Sequence, residues 1–424
     1  LLLDATVTKE VGMAASRETA IVATQPYSSR EETTAAFASH VNRGKARASE
    51  AIGVEIVVGE RLGPRFRDAF TGRWYWNCHC NGGVFNLGHR HPRILAALRE
   101  GLDHLDVGNH HLVSGWRARL AEQLAASTRG LLPYAVFTPS GTESVDLALR
   151  LARTTTGRPN VVASLGAYHG LSGFALAASD PRWFEPFGFA PTGFAHVPFN
   201  DAEAMRNEID SQTAAVILEA IPATLGFPRP APGYLSAVSA AAREAGALLI
   251  LDEVQTGLGR TGTNWYFEQQ GVEPDMLITG KGLGGGVYPV SAVLLREEIE
   301  SFFDDNPFAY VSSFGGAEIG CVAGSAVMEE VSRPGFLERV EELGRRFEDG
   351  LAGMPFELRR FGLTMGLAFE QEQGGALAAK QLIDAGVFAV YAEHDHSVTQ
   401  FKPPLIVTEP EVDEIVSAVR GALS

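Results

Sequence analysis

Residues 247–286, ALLILDEVQTGLGRTGTNWYFEQQGVEPDMLITGKGLGGG, constrain the fold of this chain more than any other stretch. Leu248 to Leu251 is a short continuous apolar run, the pattern of a parallel strand buried on both faces. It ends on two carboxylates, Asp252 and Glu253. A second run, Met276 to Ile278, ends at Thr279, Gly280 and Lys281. An acid and a lysine therefore each stand just past the carboxyl end of a strand, the edge of an open α/β sheet where ligands bind. A carboxylate and an amine buried there cost free energy unless a partner answers them.

Pyridoxal phosphate would answer both. Its aldehyde takes a lysine amine as a Schiff base, and its ring nitrogen pairs with an aspartate that keeps the ring an electron sink. The cofactor's phosphate also has a candidate seat. Tyr134 to Phe137 reads as a strand leading through Thr138 and Pro139 into Ser140, Gly141 and Thr142, which open the amphipathic run Val145 to Ala152. Two hydroxyls and a glycine at a helix N-terminus suit an anion. A rival exists in the glycine spacing itself. Gly257, Gly259 and Gly262, and again Gly280, Gly282 and Gly285, satisfy G-x-G-x-x-G. Against a dinucleotide, Asp252 and Glu253 would repel a pyrophosphate, and the residues after Gly286 (VYPVSAVLL) read as a strand rather than a phosphate-binding helix.

The run LDEVQTGLGRTG followed by GKGLGGG, with SGTESV upstream, resembles the class III (omega-type) aminotransferase family of fold-type I pyridoxal-phosphate enzymes. The resemblance extends from about residue 50 to the end. Within the family, FNLGHRHP, FAHVPFNDAEAMR and DNPF are most similar to putrescine aminotransferases. It implies an α/β fold: a large doubly wound, mostly parallel sheet domain plus a small α+β domain built from both chain ends. It implies that Lys281 and Asp252 are catalytic, and that Ser140, Gly141, Thr142, Tyr168, His169 and Gln255 bind the cofactor, with Tyr168 over the ring and Gln255 at its ring oxygen. Ser313, where the family has a threonine before Phe-Gly-Gly, would reach the neighbouring subunit's phosphate, which implies a homodimer with shared active sites.

Three departures fall where the substrate should sit. Gln400 stands where the family has an arginine that grips a substrate carboxylate, with Lys402 two residues on. The Glu-Pro-x-Gln-Gly-Glu-Gly-Gly segment becomes EAIPATLG, which keeps Glu219 but not the second glutamate and its glycines. Phe-Gly-Gly-Asn-Pro ends instead in Ala317 and Glu318. Glu219, Gln400 and Lys402 are therefore the candidate substrate residues. The expected reaction is amino transfer from an amine, diamine or amino acid. The alternative is redirected chemistry of specialised metabolism: β/γ-elimination or carbon–carbon bond formation on an amino acid such as S-adenosylmethionine.

The 424 residues suffice for two or three domains. The expected division is a leader and arm over 1–50, part of the small domain over 51–80, the large domain over 81–318, and the rest of the small domain over 319–424. Residues 1–16 lack a charged region before an apolar core and read as a leader rather than a signal peptide. Glu55 to Gly59 and Trp74 to Trp76 read as strands around the turn at 70–73, and Pro92 opens a helix to Leu105. Asn160 to Ser164 and Thr213 to Leu218 read as strands, Val287 to Leu295 as a returning strand, and Ile319 to Val331 and Gly335 to Leu351 as helices. A net charge of −16 argues against nucleic-acid and anionic-membrane partners. No apolar run is long enough to span a bilayer. Three cysteines suggest a reducing compartment, taken as cytoplasmic. Cys78, His79 and Cys80 are too closely spaced for an ordinary zinc site, so no metal is expected. His89, His91, His110 and His111 are read as loop histidines rather than bases.

Overall fold

The computed structural model describes residues 25–424. The expected leader lies largely outside them, while the expected arm is two helices, Arg30–His40 and Arg43–Ala51, neither of which buries a residue. At the centre is a seven-stranded sheet in the order Tyr134–Thr138, Ser291–Leu295, Met276–Thr279, Leu248–Asp252, Thr213–Leu218, Asn160–Ser164, Phe194–Val197. All pairings are parallel except those of Ser291–Leu295, which runs antiparallel to both neighbours.

The continuous apolar runs have a simple cause. Leu249, Leu251, Val216 and Leu218 point into one core, and the intervening Ile250, Ala215 and Ile217 into another. A strand covered on both faces has no polar side to show. The Tyr234–Ala245 helix covers the first face with Leu235, Val238 and Ala242. The Gly141–Thr156 helix covers the second with Val145, Leu149 and Ala152. This winding leaves the carboxyl ends of the parallel strands open along one edge.

Two four-stranded sheets complete the fold. One runs Val58–Leu62, Arg65–Asp68, Trp74–Asn77, Val387–Phe388, so a strand from the C-terminal part pairs beside the N-terminal hairpin, Val387 opposite Trp76. The other runs Glu357–Phe361, Thr364–Ala368, Asp395–Phe401, Val390–Ala392. A shared core of Trp76, Cys78, Leu343, Phe347, Phe401 and Ile415 binds the two chain ends together.

Several boundaries differ from the sequence reading. The strand expected over 55–59 lies at Val58–Leu62 and turns through Gly63 into a further strand, Arg65–Asp68. The alternation of this hairpin is masked because Gly59 and Asp68 take buried positions while Leu62 is exposed. Only Ser291–Leu295 of the expected 287–295 segment is strand. The helix opened by Pro92 stops at Leu102 rather than Leu105.

Candidate active site

The carboxyl edge of the large sheet gathers side chains from five segments. A cavity of about 190 Å³ there is lined by Gly141, Thr142, Tyr168, His169, Gly170, Glu219, Asp252, Val254, Gln255 and Lys281. An adjoining opening of about 400 Å³ shares Gly141 and Lys281 and adds Val84, Ser140 and Tyr288.

Lys281 sits at the turn after the Met276–Thr279 strand with φ of 44°, a left-handed conformation costly for a residue with a Cβ. Gly82 lies against its stem, where a Cβ would stand 3.3 Å from Lys281 Cε. Burial pulls the amine's pKa down, while Asp252 and Glu219 pull it back up. A lysine with a lowered pKa has more of its amine free to act as nucleophile or base near neutrality.

The two carboxylates after Leu251 have separate tasks. Glu253 turns inward and accepts from the backbone N–H groups of Tyr266 (2.7 Å) and Phe267 (2.8 Å) and from Thr256 Oγ1 (3.0 Å), so it fastens the following loop. Asp252 faces the cavity. Its Oδ2 lies 2.8 Å from His169 Nδ1, and its Oδ1 accepts from Val254 N at 3.1 Å. A carboxylate only accepts, so Nδ1 donates and Nε2 is left on the far side of the ring. That Nε2 is buried without a protein partner.

Glu219, past the Thr213–Leu218 strand, accepts from Tyr168 N at 2.8 Å. Burial pushes its carboxyl up to about 7; His169 opposes that shift and Asp252 adds to it. The Tyr168 ring is half-buried and meets Trp183 edge-on at 5.1 Å. Ser140 caps the Gly141–Thr156 helix, its side chain accepting from Glu143 N at 3.2 Å. The first turn of this helix therefore opens onto the cavity. A helix N-terminus, a buried aspartate and an amine on one cavity fit the phosphate, ring nitrogen and aldehyde of pyridoxal phosphate.

Gln400 and Lys402, far from Gln255 in sequence, arrive beside it. Lys402 Nζ lies 2.6 Å from Gln255 Oε1 and 2.6 Å from Gln400 Oε1. Ser313 does not reach the cavity; it lies on an exposed loop. His89 pairs with Asn77 at 2.9 Å, and burial holds its pKa down at about 4. His91 precedes a helix, while His110 and His111 stack on each other at an exposed loop. None of the four lines the cavity. Neither glycine repeat opens a long helix; the first is followed by four helical residues, Phe267–Gln270, and the second contains a single 3-10 turn, Lys281–Gly284.

Arg260 was hidden inside the first repeat. Fully buried, it donates to Asn86 Oδ1 at 2.7 Å, to Leu363 O at 3.2 Å and to Pro403 O, tying three distant segments behind the cavity. No local signal could have found those acceptors.

A family model described as aminotransferase class-III matches residues 48–423. An uncharacterized aminotransferase of Archaeoglobus fulgidus is 46% identical over 400 residues, covering 93% of this chain and 94% of that protein. A putrescine aminotransferase of Pectobacterium atrosepticum is 34% identical, covering 93% of this chain and 88% of that protein. Among solved structures, an ornithine aminotransferase of Toxoplasma gondii with partial occupancy of PLP at its active site superposes with a TM-score of 0.85 at 25% identity. That match covers 93% of this chain and 94% of the other.

Proposed function

Because the chain belongs to the class-III aminotransferase family, it is a pyridoxal-phosphate-dependent enzyme acting on an amine or amino acid, and we propose that the Lys281 cavity is where it works. When bound, pyridoxal phosphate supplies an aldehyde that takes up the amino group and a ring that draws electrons from the neighbouring carbon. The chain's own residues do the rest. Lys281 Nζ would hold the aldehyde, and it is the group placed to serve as base and acid at the amine-bearing carbon. Asp252, kept in place by His169, would accept from the ring nitrogen. Thr142 and the N–H groups behind Ser140 and Gly141 would hold the phosphate, and Tyr168 would lie against the ring.

The observation that carries this reading is the convergence of Lys281, Asp252 and the start of the Gly141–Thr156 helix on one cavity. The proposed donor is a diamine or similar primary amine, supported by the likeness to a putrescine aminotransferase. The proposed acceptor is a 2-oxo acid.

The proposed assembly is a homodimer in which Ser313 completes the partner's phosphate site. In its favour, Leu112, Val113, Phe308, Val311 and Phe314 stand exposed, and their two loops meet where His111 packs on Phe308 at 5.5 Å. A cytoplasmic location agrees with three buried free cysteines. Among the described residues, no helix is long and apolar enough to cross a membrane. The proposed division is a large domain around the seven-stranded sheet and a small one from both chain ends. A proposed boundary after Val331, in place of the expected 318, is supported by Cys321 and Met328 of the Glu318–Val331 helix packing into the core around the large sheet.

The test is a half-reaction without an acceptor. The cofactor-loaded protein is mixed with putrescine, other diamines and amino acids, and the products are read by mass spectrometry. Pyridoxamine phosphate should form with one of them, and Lys281→Ala should lose both that product and the visible absorbance of the loaded protein. A Lys281→Ala protein that keeps both would refute the assignment.

A further inference from the structure

Lys402 is a fully buried amine whose side-chain partners are two amide oxygens, Gln255 Oε1 and Gln400 Oε1, each at 2.6 Å. Among the described residues it has no carboxylate within ion-pair distance. Val398, Gln400 and Lys402 alternate onto one side of the chain, toward the 219–227 segment, where Val398 packs on Gly226 and Lys402 Nζ lies 5.1 Å from the Phe227 ring. The intervening Thr399 and Phe401 turn the other way, to Gly375 O and Phe347. Gln255 lines the Lys281 cavity, so Lys402 stands directly behind the cavity wall.

An amine here orients both amides. Each oxygen is taken by a lysine N–H, so each amide NH2 must face away from Lys402. For Gln255 the open side is the cavity, and among the described residues its amide nitrogen donates to no protein acceptor. Two N–H donors remain even on a neutral amine, so the orientation holds in either protonation state. Gln400 belongs to the same arrangement: a cation at that position would stand against the Lys402 ammonium.

We propose that Lys402 is a positioning residue that aims and polarises the Gln255 amide, so that the cavity wall presents a charge-backed N–H donor to an anionic oxygen of the bound ligand. The proposal rests on the reading of the Lys281 cavity as the active site. The oxygen has two possible sources, the ring oxygen of the cofactor or the carboxylate of the oxo-acid substrate. Burial first, then the fields of Lys281 and Arg260, hold the Lys402 amine well below the usual lysine range. Cys80 and Glu219 face it and act the other way, and its field helps hold His79 down. An anionic oxygen across Gln255 favours the charged amine.

Two variants of the cofactor-loaded protein test it. Lys402→Met removes the charge at similar volume. Gln400→Glu keeps Lys402 but draws its charge to a new carboxylate, and decides alone if Lys402→Met does not fold. The pH midpoint of the visible absorbance is measured without substrate, and the affinity for unreactive propionate is measured by its effect on that absorbance. A midpoint raised by about one pH unit in the variants supports the proposal with the cofactor oxygen as acceptor. An unmoved midpoint with propionate binding weakened roughly tenfold supports it with the substrate carboxylate. Both readouts matching the wild type in a folded, loaded variant overturns it. A wild-type absorbance that does not depend on Lys281 overturns the reading of the cavity and this proposal with it.

Discussion

Asp252 Oδ2 and His169 Nδ1 are 2.8 Å apart, both buried, at the end of the central strand. The pair fixes which way the carboxylate faces. Asp252→Asn keeps the shape and removes the charge, and turnover should fall by about 10²–10³-fold, the usual cost of one preorganised electrostatic group. His169→Phe leaves Oδ2 of the carboxylate without its partner, and turnover should fall about 10–100-fold, matching a charged hydrogen bond of roughly 1.5–3 kcal/mol. The double variant should be no worse than Asp252→Asn alone, because the histidine acts through the aspartate. Single-turnover rates of the three variants check this.

Glu219 gives the cofactor-free protein a pH signature. Its carboxyl rises from 4.5 to about 7 on folding, chiefly by burial. The folded chain therefore binds a proton that the unfolded chain has lost between those values. The resulting stabilisation is complete below pH 4.5 and disappears as pH rises through about 7, with a full size of about 3 kcal/mol. Glu219→Gln cannot titrate. Urea midpoints should show the wild type losing stability relative to Glu219→Gln from pH 5 to 8. The buried Glu253 titrates in both proteins and cancels from the difference. A constant difference across that range would contradict the assignment.

Arg260 spreads its guanidinium over acceptors on Asn86, Leu363 and Pro403. A lysine offers a point charge instead of a planar fork and cannot reach all three. Arg260→Lys should cost about 2–4 kcal/mol, one or two buried acceptors left unsatisfied. A urea midpoint unchanged from the wild type would show that the buried fork contributes little.

Much of this was legible in the sequence because the signals were local. The Leu248–Asp252 and Met276–Thr279 strands announce themselves as unbroken apolar runs, and each carries its functional residue at its end. Ser140 reads as a cap three residues before the Glu143 N–H that it accepts from. The Glu409–Leu423 helix also carries its signal locally. Thr408 and Glu411 form a capping box, and Val412, Ile415, Val419 and Leu423 make a helical stripe. What could not be read is the meeting of residues remote in sequence. Lys402 and Gln255 are 147 positions apart, and only the packing of the Asp395–Phe401 strand beside the 219–227 segment brings them together. That Asp252 and Glu253 point to opposite sides is a local rule; which of them faces the cavity was hidden, because it is set by remote partners, His169 for one and Tyr266 and Phe267 for the other.

The exposed apolar residues beside Ser313 predict association. The sedimentation mass should be twice the 45.4 kDa of the chain. Val113 and Phe314 are exposed, so Val113→Asp with Phe314→Asp should leave the fold intact by circular dichroism. The same pair should yield a monomer that releases its cofactor more readily. A wild type that sediments as a monomer would remove Ser313 from the site.

Gly170 ties backbone strain to the phosphate seat. Its φ of 128° is one that side chains avoid, and an added Cβ would run into Thr142, the second residue of the Gly141–Thr156 helix. The clash involves Thr142's own backbone as well as its hydroxyl, so a rotamer change cannot relieve it. Gly170→Ala should therefore cost about 1–3 kcal/mol of stability through strain alone. It should also displace the first turn of the helix and weaken cofactor binding. Thermal midpoints of the cofactor-free protein measure the strain, and a cofactor titration measures the displaced turn. If Thr142 helps hold the phosphate, affinity must fall along with stability. A loss of stability with unchanged affinity would move the phosphate away from this helix.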